Sequence, residues 1–490
     1  MSLRLKSTEV APYYLLSLKN TLQSSLKLLP LIMILLLLLV FVNSSPDVRA
    51  ENNFAEYLEA EIAASFYQDF LADFYENNDF ESIWVESNQL SPQGEEVYSL
   101  ISAAQEVGLN PEDYNYEAIN DLWMGLRYQN NEEFPADKAA EMELLITEGL
   151  VRYTTDLING RLNPDTFARR ISISDLEGEV LLVLSTAQAG NGLTEVFSDL
   201  QPQHPQYQKL LDINQRIVQG DMRVTEEEQQ IINANLEKWR WNSGEGPAEN
   251  SDKHIYVNLP SFTLQVYEGE EVVMDMKTII GRPAHQTPEM NKHLTHLTLS
   301  PRWYMPRSIA LREHLPKIQE DQRHLERGGY RVYEEDEDGR FIEVDPDEIN
   351  WEEKHAGNFD YYLWQDAGPD NALGRVVFRF PNRQSIYLHD TPDQHIFNRE
   401  VRAESSGCIR IDQPLELAQY LLADNTDWDL QRINEKIQDG NETTVYLNNP
   451  LPIHLVYFTA GVNEEQELEF YNDIYNRVTD LKNILANLDE

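Results

Sequence analysis

Hydrophobic and polar positions follow two regimes along this chain, and the change falls at Asn235–Trp241, NLEKWRW. From Phe54 to about Leu200 the apolar residues recur at helical spacing. Val97, Leu100, Ile101, Ala104 and Val107 mark one face, with Ser91 as N-cap, Pro92 in the first turn and Gly108 at the stop. Asp137 opens a second long helix reaching about Leu157. Beyond a polar linker, Asn242–Asp252, the pattern turns to alternation. His254–Gly281 carries two alternating runs around Glu268-Gly269-Glu270, which predicts a hairpin. Further strands are predicted at Val376–Phe380, Ser385–His389, Thr444–Leu447 and Ile453–Thr459, with a helix over Gln413–Ala423. The acidic stretch Arg307–Asn371 interrupts this alternation and is too long for a simple loop, so it predicts a subdomain or lid. The fold class is therefore α+β: a helical scaffold over 51–234, then a β-rich domain over 235–462 with the 307–371 insertion, and a helical tail over 463–490.

The N-terminus is of another kind. Positive charges at Arg4, Lys6, Lys19 and Lys27 precede Leu29–Val42, LPLIMILLLLLVFV, which has no polar side chain. Val48-Arg49-Ala50 supplies a small-x-small site before Glu51. Residues 1–50 thus read as an export signal, cleaved after Ala50, or as an uncleaved inner-membrane anchor, the uncharged window Leu28–Pro46 being just long enough to span. Both place the rest of the chain outside the cytoplasm, in the periplasm.

Composition then narrows the function. A net charge of −45 excludes charge-driven binding to nucleic acid or to anionic membranes and reads as a solvated acidic surface. An exported chain of 490 residues with one cysteine has no intramolecular disulfide, so Cys408 is a free thiol. It is either a small buried hydrophobe or a nucleophile.

A cysteine nucleophile requires a base or a cation to generate its thiolate, and histidine serves both roles near neutral pH. Among eleven histidines, His389 stands out. It ends a strand in YLHDTP, nineteen positions before Cys408 in SSGCIR. Gly407 lets the backbone approach a substrate and offer an N–H to an oxyanion, or else forms an ordinary turn. Arg410 shares a face with Cys408 if the segment is extended, and pairs with a substrate carboxylate or sits at the surface. His293 and His296 form an HxxH pair, but with no cysteine cluster or HExxH beside it the zinc reading is weak. His395 reads as a surface histidine.

YLHDTP followed by SSGCIRI resembles the signature of the L,D-transpeptidases, the YkuD-type catalytic domain. The likeness extends through NLEKWRW, IYVNLPSFTLQVYEGEEVVMDMKTIIGRPAHQTP, PRWYMPRSIALREHLPKIQED, GPDNALGRVVFRFPN and VYFTAGVN, and is similar to the large periplasmic class of Gram-negative bacteria. That resemblance implies Cys408 as nucleophile, His389 as its base, oriented by a main-chain carbonyl, and oxyanion donors from the backbone at Gly407 and Cys408. Arg410, Ser405, Ser406 and Asp390 become candidate substrate contacts, and 307–371 a capping subdomain. Ser406 stands where the commoner motif has a second histidine. The stretch Gln208–Ile232 leaves no room for a separate peptidoglycan-binding module. The implied reaction joins peptidoglycan stem peptides in 3–3 crosslinks through a cysteinyl thioester, with no metal or organic cofactor. The implied partners are a tetrapeptide donor, a diaminopimelate acceptor and, among proteins, penicillin-binding proteins. Water or a lipoprotein as acceptor, and a non-catalytic wall-binding scaffold, are the alternatives.

Overall fold

In the computed structural model, the described residues are 46–128, 134–170, 172–190, 192–241, 253–424 and 427–488. The charge-free block Leu29–Val42 and the linker Asn242–Asp252 lie outside them. Among the described residues no helix is long and apolar enough to cross a membrane.

The chain divides into two compact units. The first comprises residues up to Gln89 together with Leu126–Leu144. Its centre is the buried carboxylate of Glu143, which accepts from the Ile83 and Trp84 amides at 2.9 and 3.0 Å, from Ser82 Oγ at 2.9 Å and from the Tyr75 hydroxyl at 3.1 Å. Burial pushes this acid up to about 7 despite those four donors.

The second unit, Leu90–Gly125 with Leu145–Glu490, holds most of the helical scaffold and all of the β-rich part. Its first helix, α1 (Pro92–Ser102), starts where its sequence dictates: Ser91 Oγ accepts from the Gly94 amide at 3.0 Å. The expected apolar stripe runs past the helix end. Ala104–Val107 form a 3₁₀ turn, and Gly108, at φ +73°, closes it. Helices α2 (Pro205–Val218) and α3 (Glu226–Trp241) follow. The last of these docks on the sheet: Trp239 stacks on Phe458 with centroids 4.1 Å apart, and Asn235 accepts from the Thr459 amide at 2.8 Å.

The β-rich part is built on β1 (Lys253–Asn258), β2 (Thr263–Glu268), β3 (Glu271–Gly281), β4 (Met290–Leu299), β5 (Val376–Arg379), β6 (Leu388–His389), β7 (Ala403–Ser405), β8 (Ile409–Ile411) and β9 (Thr443–Val456). They join in the order β7-β3-β8-β6-β5-β4-β9-β1-β2, and a further pairing of β2 with β3 closes the sheet on itself. The interior is apolar, with Ile255, Val266, Leu297, Phe378, Leu388, Ile409 and Ile411 at its centre. The hairpin turns at Gly269 as predicted, but the first alternating run is itself two strands, because Leu259–Phe262 bend between β1 and β2. The two late strands merge into one, β9, in which a register shift between Tyr446 and Leu451 absorbs Asn448-Asn449-Pro450. The segment Ser385–His389 is strand only at its last two residues. The tail over 463–490 is not wholly helical: Ala460–Val462 pairs with Leu468–Phe470 before α4 (Arg477–Leu488) begins.

The insertion is a subdomain. Tyr330–Glu335, Phe341–Val344 and Tyr361–Gln365 pair among themselves and with Trp303–Tyr304 in a four-stranded sheet. It has its own core around Trp303, Ile318, Val332, Phe359 and Leu363. That core includes Val377 of β5, whereas Val376 and Phe378 face the barrel interior. Alternation along one strand thus serves both cores.

Candidate active site

His389 and Cys408 arrive on neighbouring parallel strands. β6 pairs with β8 so that Leu388 lies opposite Ile409 and His389 opposite Arg410. Continued by one residue, this register sets Tyr387 opposite Cys408, and the Ile409 amide donates to the Tyr387 carbonyl at 3.1 Å. Side chains alternate, so Tyr387, His389, Cys408 and Arg410 share one face. The rings of Tyr387 and His389 stand edge to face at 5.7 Å.

The His389 ring is buried, and its Nδ1 lies 2.6 Å from the Asp390 carbonyl oxygen. A carbonyl only accepts, so Nδ1 carries the proton and Nε2 keeps the lone pair a base requires. Burial pushes His389 down to about 3, the Arg410 charge adds to this, and the hydrogen bond to Asp390 opposes it. Burial also raises the Cys408 thiol; the Tyr387 backbone and hydroxyl, then the charges of Arg379 and Arg410, work against it. The resting pair is therefore neutral thiol and neutral imidazole. Sγ rests 3.7 Å from the Ser385 carbonyl oxygen.

The turn before the nucleophile is held by Ser405 and Thr287. Ser405 Oγ donates to the Cys408 carbonyl at 2.5 Å and accepts from the Gly407 amide at 3.1 Å. Thr287 Oγ1 donates to the Gly407 carbonyl at 2.8 Å. Gly407 has φ +119°, a conformation that side chains rarely adopt.

This geometry corrects three expectations. The Gly407 amide is not a free oxyanion donor, because Ser405 occupies it; the Cys408 amide has no partner among the described residues. Ser405 is buried and acts on the turn rather than facing a substrate. Asp390 is likewise buried: Arg375 Nε sits 2.6 Å from Oδ2, the Arg375 amide donates to the same oxygen at 2.9 Å, and the Thr391 amide donates to Oδ1 at 2.8 Å. Its side chain fixes the loop while its carbonyl orients His389. Arg410 shares the Cys408 face as expected, but one of its terminal nitrogens already pairs with Asp393 at 3.0 Å. His293 and His296, three residues apart on β4, lie on opposite faces, and His395 is exposed.

Ser406 has a partner in the insertion. Its hydroxyl donates to Glu313 Oε1 at 2.7 Å, and the same oxygen takes Arg282 and Arg312, each at 2.7 Å. Burial alone would raise Glu313, but Arg312, Ser406 and Arg282 together hold it down to about 2. Glu313 sits in a π-helical turn, Ala310–His314, a local widening common at functional sites. Sequence reasoning missed Tyr387, Arg379, Thr287 and Glu313. Only Tyr387 had a local signal, two positions before His389 on the same strand face.

Residues 252–446 match the L,D-transpeptidase catalytic domain family, and residues 69–212 match a scaffold domain. The stretch 252–446, which carries both His389 and Cys408, is thus similar to the YkuD type of catalytic domain. A putative L,D-transpeptidase of Haemophilus influenzae is 34% identical over 221 residues, covering 45% of this chain and 44% of that relative. The match thus spans less than half the relative's length. Among solved structures, an L,D-transpeptidase from Mycobacterium smegmatis aligns over 42% of this chain and 58% of that one, at 16% identity and a TM-score of 0.20. An L,D-transpeptidase in complex with imipenem aligns over 42% and 59%, again at 16% identity and a TM-score of 0.20. Overlap at that level adds nothing to the assignment. The transpeptidase domain and the scaffold account for the α+β architecture.

Proposed function

We propose that this protein is a cysteine-dependent acyltransferase of peptidoglycan that forms 3–3 crosslinks. The observation that carries the reading is the pairing of β6 with β8. It sets a lone thiol on the same sheet face as an imidazole whose tautomer a main-chain carbonyl fixes, within the residues that match the transpeptidase family.

The steps follow from the resting state. Because burial disfavours both ions, the thiol proton passes to His389 Nε2 as Sγ attacks the carbonyl carbon of the third stem residue. The new S–C bond places negative charge on the carbonyl oxygen, within reach of the unspent Cys408 amide. Collapse breaks the C–N bond, and His389 returns its proton to the departing D-alanine. The amine of an acceptor diaminopimelate then attacks the thioester, His389 removes the excess proton, and the thiol is regenerated. Arg379 and Arg410 lower the cost of the developing thiolate.

Such a substrate lies beyond the inner membrane, so the reading carries export of the chain from Glu51 onward, which cell fractionation checks. Incubation with disaccharide tetrapeptides, followed by mass analysis, tests the reaction. Dimers linked between third residues, absent with Cys408→Ala, are expected. Tripeptides alone would make the enzyme an L,D-carboxypeptidase, and no change at all would refute the acyltransferase reading.

A further inference from the structure

A second concavity of about 1250 Å³ lies away from the thiol, walled by the scaffold loop at 163–170, helix α3, the turn Pro381–Gln384 and helix α4. It has three features. The first is an aromatic platform: Phe167 is 39% exposed, is held at φ +54°, and stands 6.1 Å from the Trp241 ring. A bulky residue kept at positive φ is strained, and its ring contact, edge to face on Trp241, leaves a face of the ring open to the groove. The second is amide and charge: Asn291 and Gln384 line the wall, whereas Asn382 spends its side chain on the Phe380 and Ile386 backbone. Lys292 and Arg383 have no anionic partner among the described residues, although Asp165 and Asp480 line the same groove. Unspent cations are notable in a chain of net charge −45.

The third is continuity with the nucleophile. Glu289 on the floor takes Lys238 of α3 at 3.1 Å and Arg477 of α4 at 2.9 Å. Arg477 also reaches the Thr287 carbonyl at 3.3 Å, and Thr287 Oγ1 holds the Gly407 carbonyl. From the other wall, Gln384 adjoins Ser385, whose carbonyl meets Cys408 Sγ. A polymer lying in this groove would pass beside both supports of the thiol.

We propose that the groove binds the glycan strand of the polymer whose stem peptides the thiol acylates. The flat C–H faces of amino sugars stack on an aromatic ring, side-chain amides pair with hydroxyl and acetamido groups, and Lys292 and Arg383 meet the carboxylates of the attached stems. The identity of the polymer rests on the transpeptidase reading; the sugar site does not require the chemistry at Cys408.

The test is binding by the purified Cys408→Ala protein of three probes: a hexamer of N-acetylglucosamine, a disaccharide tetrapeptide and the free tetrapeptide. Trp241, in the groove wall, reports through its fluorescence. The hexamer is expected to bind, and Phe167→Ala to weaken it about tenfold, the worth of one stacking contact, while Phe167→Tyr preserves it. Lys292→Ala with Arg383→Ala should weaken the disaccharide tetrapeptide and spare the hexamer. Failure of the hexamer to bind, binding undiminished in Phe167→Ala, or the free tetrapeptide binding as well as the disaccharide form would each overturn the proposal. Acylation of a Phe167→Ala protein that retains Cys408, by a carbapenem, shows separately that the fold and thiol are intact. Loss of acylation in the unmodified protein would count against the transpeptidase chemistry and leave the sugar site standing.

Discussion

Around Asp156, in the scaffold, buried charges meet one another. Arg169 reaches Oδ2 at 3.0 Å, the Tyr114 hydroxyl donates to the same oxygen at 3.1 Å, and Asp113 takes Arg161 and Arg169 at 3.1 and 3.4 Å. Around Cys408 the opposite holds: thiol and imidazole are both kept neutral, two arginines approach without sealing a pair with either, and an amide is left over. Yet burial pushes Asp156 up to about 7, as large a departure as many catalytic groups show. A shifted acidity marks burial. Unspent hydrogen-bonding capacity on a shared face is what separates the site from the strut.

Substitution at Cys408 should separate them most sharply. Cys408→Ala is expected to abolish turnover, a loss of at least about 10³-fold, with no change in melting temperature. A carbapenem should add once to the unmodified protein, at Cys408, and not to the variant, as read by intact mass and a peptide map. An adduct on the variant would dismiss the assignment.

His389→Ala should slow acylation by about 10²–10⁴-fold in single-turnover assays. Full activity in that variant would move the base elsewhere. Asp156→Ala makes the reverse case. It removes the centre of a buried cluster, so stability should drop by about 3 kcal/mol in denaturant titration, while the folded fraction keeps its acylation rate. Slower acylation at unchanged stability would erase the contrast between the two clusters.

How far the sequence carried depends on the range of the interactions. His389 was legible as the end of a strand read from local alternation, and Cys408 as the single cysteine of the chain, set after a glycine nineteen positions on. The helix at Pro92 was legible from its cap. Glu313 was not: its contact with Ser406 spans 93 positions, and nothing in ALREH indicates an acid that meets a hydroxyl in another subdomain. Asp390, a candidate substrate contact by its place beside His389, misled because only the fold reveals that Arg375 has already claimed its carboxylate. Gly407 was flagged for the right conformation, but its amide is consumed by Ser405, a bond two residues long that sequence pattern does not distinguish from a free donor.

The Glu313–Ser406 contact ties the insertion to the nucleophile turn, and its effect should be intermediate. Glu313→Gln and Ser406→Ala are each expected to raise KM for a stem peptide about tenfold and to leave reaction with a small thiol reagent nearly unchanged. Their double variant should cost no more than the worse single, since both break one contact. Strictly additive losses would mean that the two residues act independently.

The smallest effect at neutral pH belongs to histidines that neither cluster uses. His204, His254 and His454 are buried; His204 stacks on Trp239 at 4.7 Å and His254 on Tyr267 at 4.9 Å. Burial pushes them down to about 3, 4 and 3, as it does His314 to about 4 and His389 to about 3. A histidine neutral in the fold and free to protonate when unfolded binds more protons in the unfolded chain between its depressed value and about 6.5. Its contribution is complete above that upper value and lost as pH falls towards 3 or 4. Glu143 and Asp156, both pushed up to about 7, act with the opposite sign over their own window, gaining stability as pH falls from about 7 towards 4. His285, His296 and His324 are lowered as well and Asp412 is raised, so eight groups against three leave a net uptake on unfolding, and the melting temperature should fall steadily from pH 6.5 to 4. His254→Phe keeps a ring against Tyr267 and removes one titration. It should match the parent protein at pH 7.5, where both rings are neutral, and lose less on acidification. A parent whose melting temperature is flat over that range, or a variant with the same slope, would show that these rings already meet water in the fold.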